Sequence, residues 1–187
     1  MRRERGETLP DYLEPGLRLV SVGLNPSVNS VRAGFYFATP RNRFWRALNA
    51  SRLIDAPATP GRAGVEHLVR QQRIGFTDVV KRATRGGSDL RAADYRRDAP
   101  RLRERLLRVR PAMVWFHGKV GYRHYLRYAE DLRPDEIDWG LQARRIDDLP
   151  VFLTPNPSPA NAVFSLDDLI AWYDRLAAAA AAHGGEY

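Results

Sequence analysis

Short apolar runs alternate along the chain with longer stretches in which apolar residues recur at helical spacing. The runs at 18–23, 112–116 and 150–154 are rich in β-branched and other apolar residues, a composition typical of buried strands. Helical spacing is found at 44–48, 65–69, 98–109, 120–128 and 166–176. Strands that alternate with helices predict an α/β domain, a three-layer αβα sandwich around a mainly parallel sheet.

The pattern is less regular in the remaining parts of the chain. We interpret residues 74–80 as a loop around a short extended piece, and we predict a strand at 141–146. Ser165, followed three residues later by Asp168, has the spacing of a box that starts a helix. Residues 1–10 are predicted to be a flexible basic arm, and 11–187 a single domain with room for a proper core.

Charge and composition then limit the classes of function. The 187 residues carry a formal net charge of +8, which favours a polyanionic partner, although an arginine-rich proteome would give the same value. Without cysteine, neither disulfides nor thiolate chemistry is available, and the four histidines lack metal-ligand spacing. Because no signal peptide or membrane-length apolar run is present, we expect a soluble, cytoplasmic protein. Because the histidines lack metal-ligand spacing, we expect no metal site.

The predicted helix at 98–109 is strongly basic. Leu102, Leu106 and Val109 share one face of this helix, and four arginines lie away from it: Arg101, Arg103, Arg105 and Arg108. These arginines could form a solvated outer face or a surface that contacts DNA, and we favour the solvated face.

The tripeptide Asn-Pro-Ser follows two of the predicted strands, as Asn25–Ser27 and as Asn156–Ser158. If both strands are parallel members of one sheet, the two loops leave the same edge and can line one crevice. They offer amides, hydroxyls and backbone donors but no strong acid, which suits a reaction driven by binding and electrostatics. Chance recurrence of a turn-forming tripeptide is the alternative.

The residues around the first loop resemble the mismatch-specific uracil/thymine-DNA glycosylases, a branch of the uracil-DNA glycosylase superfamily. The family pattern is roughly G-I-N-P-G, a spacer, G-F-x-F-A and N-R-F-W, and residues 23–45 follow it in order. Residues 75–80 are similar to a further family segment, G-[FVL]-T-x-[LMV]-V, and Gly118-Lys119 after an apolar strand also resembles the family. Asn156–Ser158 matches the family's second motif, which is N-P-S followed by a loop that enters the duplex. The resemblance covers 13–176 and implies a uracil-DNA glycosylase-like fold.

The resemblance also implies a monofunctional DNA glycosylase that flips a base out of the duplex and hydrolyses its glycosidic bond. Asn25 would hold the attacking water, and Phe37 would stack on the pyrimidine. Backbone donors near Leu24 and Phe37 would bind the uracil oxygens, Ser30 would lie near the pyrimidine 5-carbon, and Asn42 would support the pocket. No cofactor or metal is implied, and the partner is double-stranded DNA with uracil or a mispair, or single-stranded DNA, bound by a monomer.

Two departures from the family pattern bear on specificity and mechanism. The second motif is often followed by Gly-Leu-Ser-Arg, which plugs the gap left by the flipped base, but the loop here continues with Pro159, Ala160, Asn161 and Ala162. The wedge is therefore lost or has moved to Val163 or Phe164.

The other departure is Asp78, where some members carry lysine or asparagine. We expect Thr77-Asp78 at the rim of the pocket, with Asp78 on the sugar side, sharing the water with Asn25. A helix cap or an arginine partner is an equally good interpretation of this carboxylate.

Two other functions remain open at this stage. The altered loop and Asp78 would allow a superfamily glycosylase for another base, such as hypoxanthine. A non-catalytic DNA-binding module on the same fold would need only the basic helix, but the intact Asn25 and Phe37 argue against it.

Overall fold

A five-stranded sheet forms the centre of the computed structural model, which describes residues 8–184. The strands are β1 (Leu19–Gly23), β2 (Ile74–Asp78), β3 (Met113–His117), β4 (Gly140–Leu141) and β5 (Val151–Thr154), in the spatial order β2-β1-β3-β5-β4. All neighbours are parallel except β4, which pairs antiparallel with β5. Their residues are almost completely buried because helices cover both faces.

Six α-helices within residues 8–184 surround the sheet. They are α1 (Val28–Ala33), α2 (Phe44–Ala50), α3 (Arg62–Gln72), α4 (Ala92–Val109), α5 (Lys119–Ala129) and α6 (Leu166–His183). Successive side chains of β3 point to opposite faces of the sheet and contact helices on both faces, so the helices form two layers. Trp115 contacts Phe44 of α2 and Tyr173 of α6, whereas the next residue, Phe116, contacts rings of α5 on the opposite face. The predicted αβα sandwich is confirmed.

The predicted strands at 18–23, 112–116 and 150–154 are confirmed to within one residue at each end. Residues 74–78, interpreted as a loop around an extended piece, form the full edge strand β2, whose outer side is protected by an antiparallel bridge from Tyr12 to Phe76. The strand predicted at 141–146 is mostly wrong, because only Gly140–Leu141 pairs with β5. The helix box is confirmed, since Ser165 and Asp168 cap α6 reciprocally.

The basic helix is longer than predicted and begins at Ala92, where Asp94 caps its first turn. Leu102 and Leu106 are buried, as expected. Two of the four arginines bridge to other segments, Arg103 to Glu130 and Arg105 to Asp11, so these two are structural. The helix is therefore partly tied to the body of the protein rather than uniformly solvated.

Residues 1–7 of the predicted basic arm lie outside the described residues. Residues 8–10 pack against the domain, where Leu9 is buried and the Thr8 hydroxyl donates to the Lys81 carbonyl. None of the helices within 8–184 has the length and apolar character needed to cross a membrane.

Candidate active site

A cavity of about 840 Å³ opens at the carboxyl edge of the sheet. Because β1 and β5 are both parallel to β3, both Asn-Pro-Ser loops emerge at this edge, as predicted. Asn25, Ser27, Asn156 and Ser158 all line the cavity. The remaining wall comes from α1, the segment 36–42 and the turn 84–87.

Asn25 is held in a fixed orientation at the end of β1. Its side-chain nitrogen donates to the Arg82 carbonyl at 2.9 Å and to the Thr84 hydroxyl at 2.7 Å, with a longer contact of 3.3 Å to the Pro26 carbonyl. Since carbonyls only accept, these partners fix which end of the amide carries the hydrogens. The Oδ1 atom accepts no hydrogen bond from residues 8–184 and is available to hold a water molecule.

Asp78 lies in the floor of the cavity rather than at its rim. The residue is only 3% exposed, and a Cβ placed on Gly23 would come within 2.6 Å of its Oδ1. The carboxylate therefore needs glycine at the neighbouring position of β1. Thr77, predicted beside it at the rim, instead donates to Asp11, and its side chain is absent from the cavity wall.

The surroundings of Asp78 determine its protonation. Burial raises the pKa of Asp78 to about 6, against the opposing pull of Lys81. The Lys81 Nζ lies 3.7 Å from Asp78 Oδ2, too far for a hydrogen bond, whereas its distance to Asp11 Oδ1 is 2.7 Å. Lys81 thus bonds mainly to Asp11, and no residue within 8–184 hydrogen-bonds to the Oδ2 of Asp78. A buried and incompletely paired carboxylate of this kind can accept a proton near neutral pH.

Phe37 presents an aromatic face to the cavity. One side of its ring stacks on Phe44 at a centroid distance of 4.0 Å and an angle of 17°, and its edge meets His117. The ring is only half-buried and lines the cavity, so its other side can receive a flat ligand. The backbone of Phe37 has φ of 58°, a conformation that costs a non-glycine residue free energy and often occurs at functional sites.

Backbone donors are available where the resemblance implied them. The N–H groups of Leu24 and Phe37 donate to no atom of the described residues. Asn42 accepts the Phe44 N–H through Oδ1 at 2.9 Å, which starts α2 and leaves the amide nitrogen of Asn42 at the cavity wall.

Ser30 is already engaged within the protein. Its Oγ accepts from the Ala38 N–H at 3.2 Å and from the Ser27 hydroxyl at 3.0 Å. Ser30 lines the cavity, but its main role is to hold the segment that carries Phe37 against α1.

His117 is a site residue that the sequence interpretation missed. It ends β3 and lines the cavity, and its Nε2 lies 2.8 Å from the Ser21 hydroxyl. Burial lowers the pKa of His117 to about 3, so the imidazole is neutral, and its Nδ1 has no partner within 8–184. The available signal was the polar residue that directly closes a buried strand, at the same sheet edge as Asn25.

The second Asn-Pro-Ser loop is held in place by one side chain, Arg43. Its guanidinium donates to the carbonyls of Ser158 at 3.0 Å and Asn161 at 2.8 Å, and also to those of Pro157 and Phe164. A planar guanidinium with five donors suits this arrangement, which lysine could not reproduce. The arginine of the N-R-F-W element therefore fixes the shape of the loop.

Within this loop, Asn156 and Asn161 act on the loop itself. Asn156 Oδ1 accepts the Ser158 N–H at 2.8 Å, and the Asn161 amide donates to the Asn156 carbonyl at 3.0 Å. Pro159 and Ala160 line the cavity, whereas Pro157 does not. Val163 is 83% exposed, while Phe164 packs edge-on against Trp139. Of the two residues suggested as a displaced wedge, Val163 is the one that faces water.

Within residues 8–184, histidine and carboxylate side chains form no cluster suited to a metal ion. The chemistry of the cavity is thus that of an oriented amide, one buried carboxylate, aromatic faces and free backbone donors.

Comparison with known proteins identifies the fold and the family of the chain. A solved structure with a similar fold is the solution NMR structure of a candidate uracil DNA glycosylase from Methanosarcina acetivorans. The two are 22% identical and superpose with a TM-score of 0.58 over 92% of this chain and 98% of that one. A family model, the uracil DNA glycosylase superfamily, matches residues 10–177. The chain therefore belongs to the uracil DNA glycosylase superfamily.

Proposed function

We propose that the protein is a monofunctional DNA glycosylase that removes uracil from DNA, with a site of the kind found in the mismatch-specific branch. The observation that carries the proposal is that Asn25 and Asp78 line the same cavity. The amide of Asn25 is locked with its Oδ1 free, and the pKa of the buried Asp78 is raised. A binding module would have no need of this pair.

In the proposed reaction, the flipped uracil stacks on the open side of Phe37. The N–H groups of Leu24 and Phe37 donate to its carbonyl oxygens, and the unpartnered Nδ1 of His117 lies at the same wall. As the bond from C1′ to N1 breaks, its electron pair goes to the base, which leaves as an anion. Donors that are fixed before the reaction stabilise that charge without needing an acid.

The water held by Asn25 Oδ1 then bonds to C1′. Asp78 takes the proton that this water releases, and its negative charge also favours an oxocarbenium-like sugar. Burial of Asp78 beneath Gly23 supports a position under the water rather than beside the leaving base. The abasic site and free uracil are the products.

For the gap in the duplex, we propose Val163 as the inserted side chain. An apolar side chain that is 83% exposed, on a loop held rigid by Arg43, suits a wedge between base steps. Since neither Ala160 nor Ala162 can fill the gap or bind an orphan guanine, we expect only a weak preference for uracil opposite guanine.

A second substrate is supported by the size of the cavity. A volume of about 840 Å³ with a neutral histidine at its wall would also admit a bicyclic base such as hypoxanthine. The test is base release from strands that contain uracil, thymine, hypoxanthine or ethenocytosine, each opposite every normal base and in single strands. Release of uracil that Asn25→Ala abolishes would support the proposal, whereas release of hypoxanthine alone would favour the second substrate. Tight DNA binding without release of any base would overturn both.

A further inference from the structure

A second hollow, an apolar groove of about 620 Å³, lies beside the cavity and takes no part in the proposed reaction. Five residues line both spaces, namely Leu24, Gly87, Asn156, Ser158 and Ala160. The two spaces therefore adjoin each other at the same edge of the sheet. A DNA strand that delivers a nucleotide into the cavity can reach the groove with the neighbouring nucleotide.

One wall of the groove is a row of side chains on α5. Val120, His124 and Tyr128 are spaced four residues apart and so lie on one face of the helix. Tyr95 of α4 stacks on His124 at 4.0 Å and 16° and lies nearly parallel to Tyr128. His124 and Tyr128 are only half-buried, and Val120 is 59% exposed.

The rings of this wall are electrically neutral. Burial, helped by Arg127 and Arg123, lowers the pKa of His124, so the imidazole is uncharged at pH 7. The lining also includes the apolar Leu24, Leu90 and Ala92, and the uncharged polar residues Ser88, Asn156, Ser158 and Asn161. An uncharged lining that contains aromatic rings suits a flat ring.

Positive charge lies around the ring of Tyr128, one of the residues that line the groove. The guanidinium groups of Arg96 and Arg127 lie 5.9 Å and 5.2 Å from the centre of the Tyr128 ring. Both arginines are exposed, and neither pairs with a carboxylate within residues 8–184. A ligand that is flat at one end and anionic at the other fits both features.

We propose that the groove binds the base of the nucleotide next to the excised one in the same DNA strand, with its phosphate facing Arg96 and Arg127. The inference rests on the proposed function, because it takes the cavity as the place of the excised nucleotide. A base in the groove has left its partner and its stack, so this contact favours single-stranded or locally open DNA. Stacking of bases on aromatic side chains is the usual means by which proteins bind single strands.

The test measures binding rather than excision. The ligands are short single strands with a tetrahydrofuran abasic analogue at the centre, in place of the nucleotide whose base would be excised, so that binding is measured without cleavage. In two further strands, a second tetrahydrofuran analogue replaces the nucleotide on the 5′ or the 3′ side of the first. For the wild-type protein, we expect removal of one of these neighbouring bases to weaken binding by about five- to one-hundred-fold, as for loss of a stacked base. Removal of the other neighbour should have a smaller effect.

The variants assign the effect to the groove. His124→Ala should bind the strands with and without the neighbouring base equally, and His124→Phe, which retains a stacking ring, should restore the difference. Arg123→Ala is the matched control, because Arg123 is on the same helix but donates to the Pro134 carbonyl and does not line the groove. Thermal unfolding of each variant confirms that it is folded.

Equal binding of all strands by the wild-type protein would overturn the inference, as would a neighbouring-base effect that persists unchanged in His124→Ala. Because cleavage is not needed, these outcomes are distinct from a failure of the proposed function, which the base-release assay detects on its own.

Discussion

At the scale of single residues, the proposed reaction depends on side chains whose environment the sequence does not reveal. Asn25 could be singled out from its motif, but the lock supplied by Arg82 and Thr84 comes from a segment more than fifty positions away. Asp78 could be suspected of catalysis, yet its burial beneath Gly23 depends on the pairing of β1 with β2. His117 is evident only once β3 is placed at the cavity.

Asp78→Asn should slow excision and stabilise the fold. A raised pKa means that the folded state binds the proton more tightly than the unfolded state, so stability falls as pH rises from about 4 through 6. The asparagine variant avoids this cost, which is on the order of 1–3 kcal/mol at pH 8. We expect a higher Tm than wild type at pH 8, with little difference at pH 4, and a clearly lower single-turnover rate.

The wild-type excision rate should also fall as pH drops through about 6, and that fall should be absent from Asp78→Asn. Asp11→Asn removes a nearby negative charge that raises the pKa of Asp78, so this variant should shift the fall to lower pH without abolishing it. An asparagine variant that cleaves as fast as its parent would make Asp78 a structural residue and leave the water to Asn25 alone.

At the scale of elements, β1, β3 and β5 were predictable because the central strands of a covered parallel sheet are continuously apolar, whereas the edge strands β2 and β4 were not. The helix α1 was not, since Val28–Ala33 has no apolar stripe and owes its ends to Ser27 and to Gly34 in a left-handed conformation. The start of α4 was missed for a similar reason: its first turn, residues 92–95, has no stripe of large aliphatic residues and is capped by Asp94. The resemblance predicted the position of the second loop but not its shape, which depends on Arg43.

Arg43→Ala should release the second loop while leaving the cavity floor intact. Loss of several charge-assisted hydrogen bonds should raise hydrogen exchange and proteolysis at 157–164, and lower the excision rate on duplex DNA by about tenfold or more. Arg46→Ala is the matched control, an exposed arginine on the same helix. If duplex cleavage in Arg43→Ala equals that of the control, the loop shape does not matter for activity.

Val163→Ala tests the wedge on the same loop. Removing this exposed side chain should reduce single-turnover rates on duplex DNA and leave the rates on single strands unchanged, because a single strand has no gap to fill. The wild-type protein should show similar rates for uracil opposite guanine, opposite adenine and in single strands. A strong guanine preference would show that another segment reads the orphan base.

At the scale of the whole molecule, the net charge of +8 is informative only when its location is known. Some arginines are paired with carboxylates within the fold, as in the pairs Arg103–Glu130 and Arg105–Asp11, and these pairs add nothing to the net charge. Other arginines stand at the open edge of the sheet, where Arg32 and Arg85 are exposed and line the cavity. The composition predicted a polyanionic partner. The surface proposed to bind this partner could be located only once the order of the strands had placed these arginines at one edge of the sheet.

Affinity for undamaged duplex should therefore fall steeply as salt rises. Arg32→Ala and Arg85→Ala should each reduce the slope of log K against log salt by about one. Arg101→Ala should not, since Arg101 is 64% exposed on α4 and lines neither the cavity nor the groove. A flat salt dependence of the wild-type protein would indicate that these arginines only face solvent.

The role of Asn25 is tested most directly by the single-turnover release of uracil by the Asn25→Ala variant, measured together with its affinity for an uncleavable DNA of the same sequence. We expect unchanged affinity and a rate lower by about 10²–10³-fold, the usual effect of removing one preorganised polar group. A near-normal rate would contradict the proposed role and assign the attacking water to another residue.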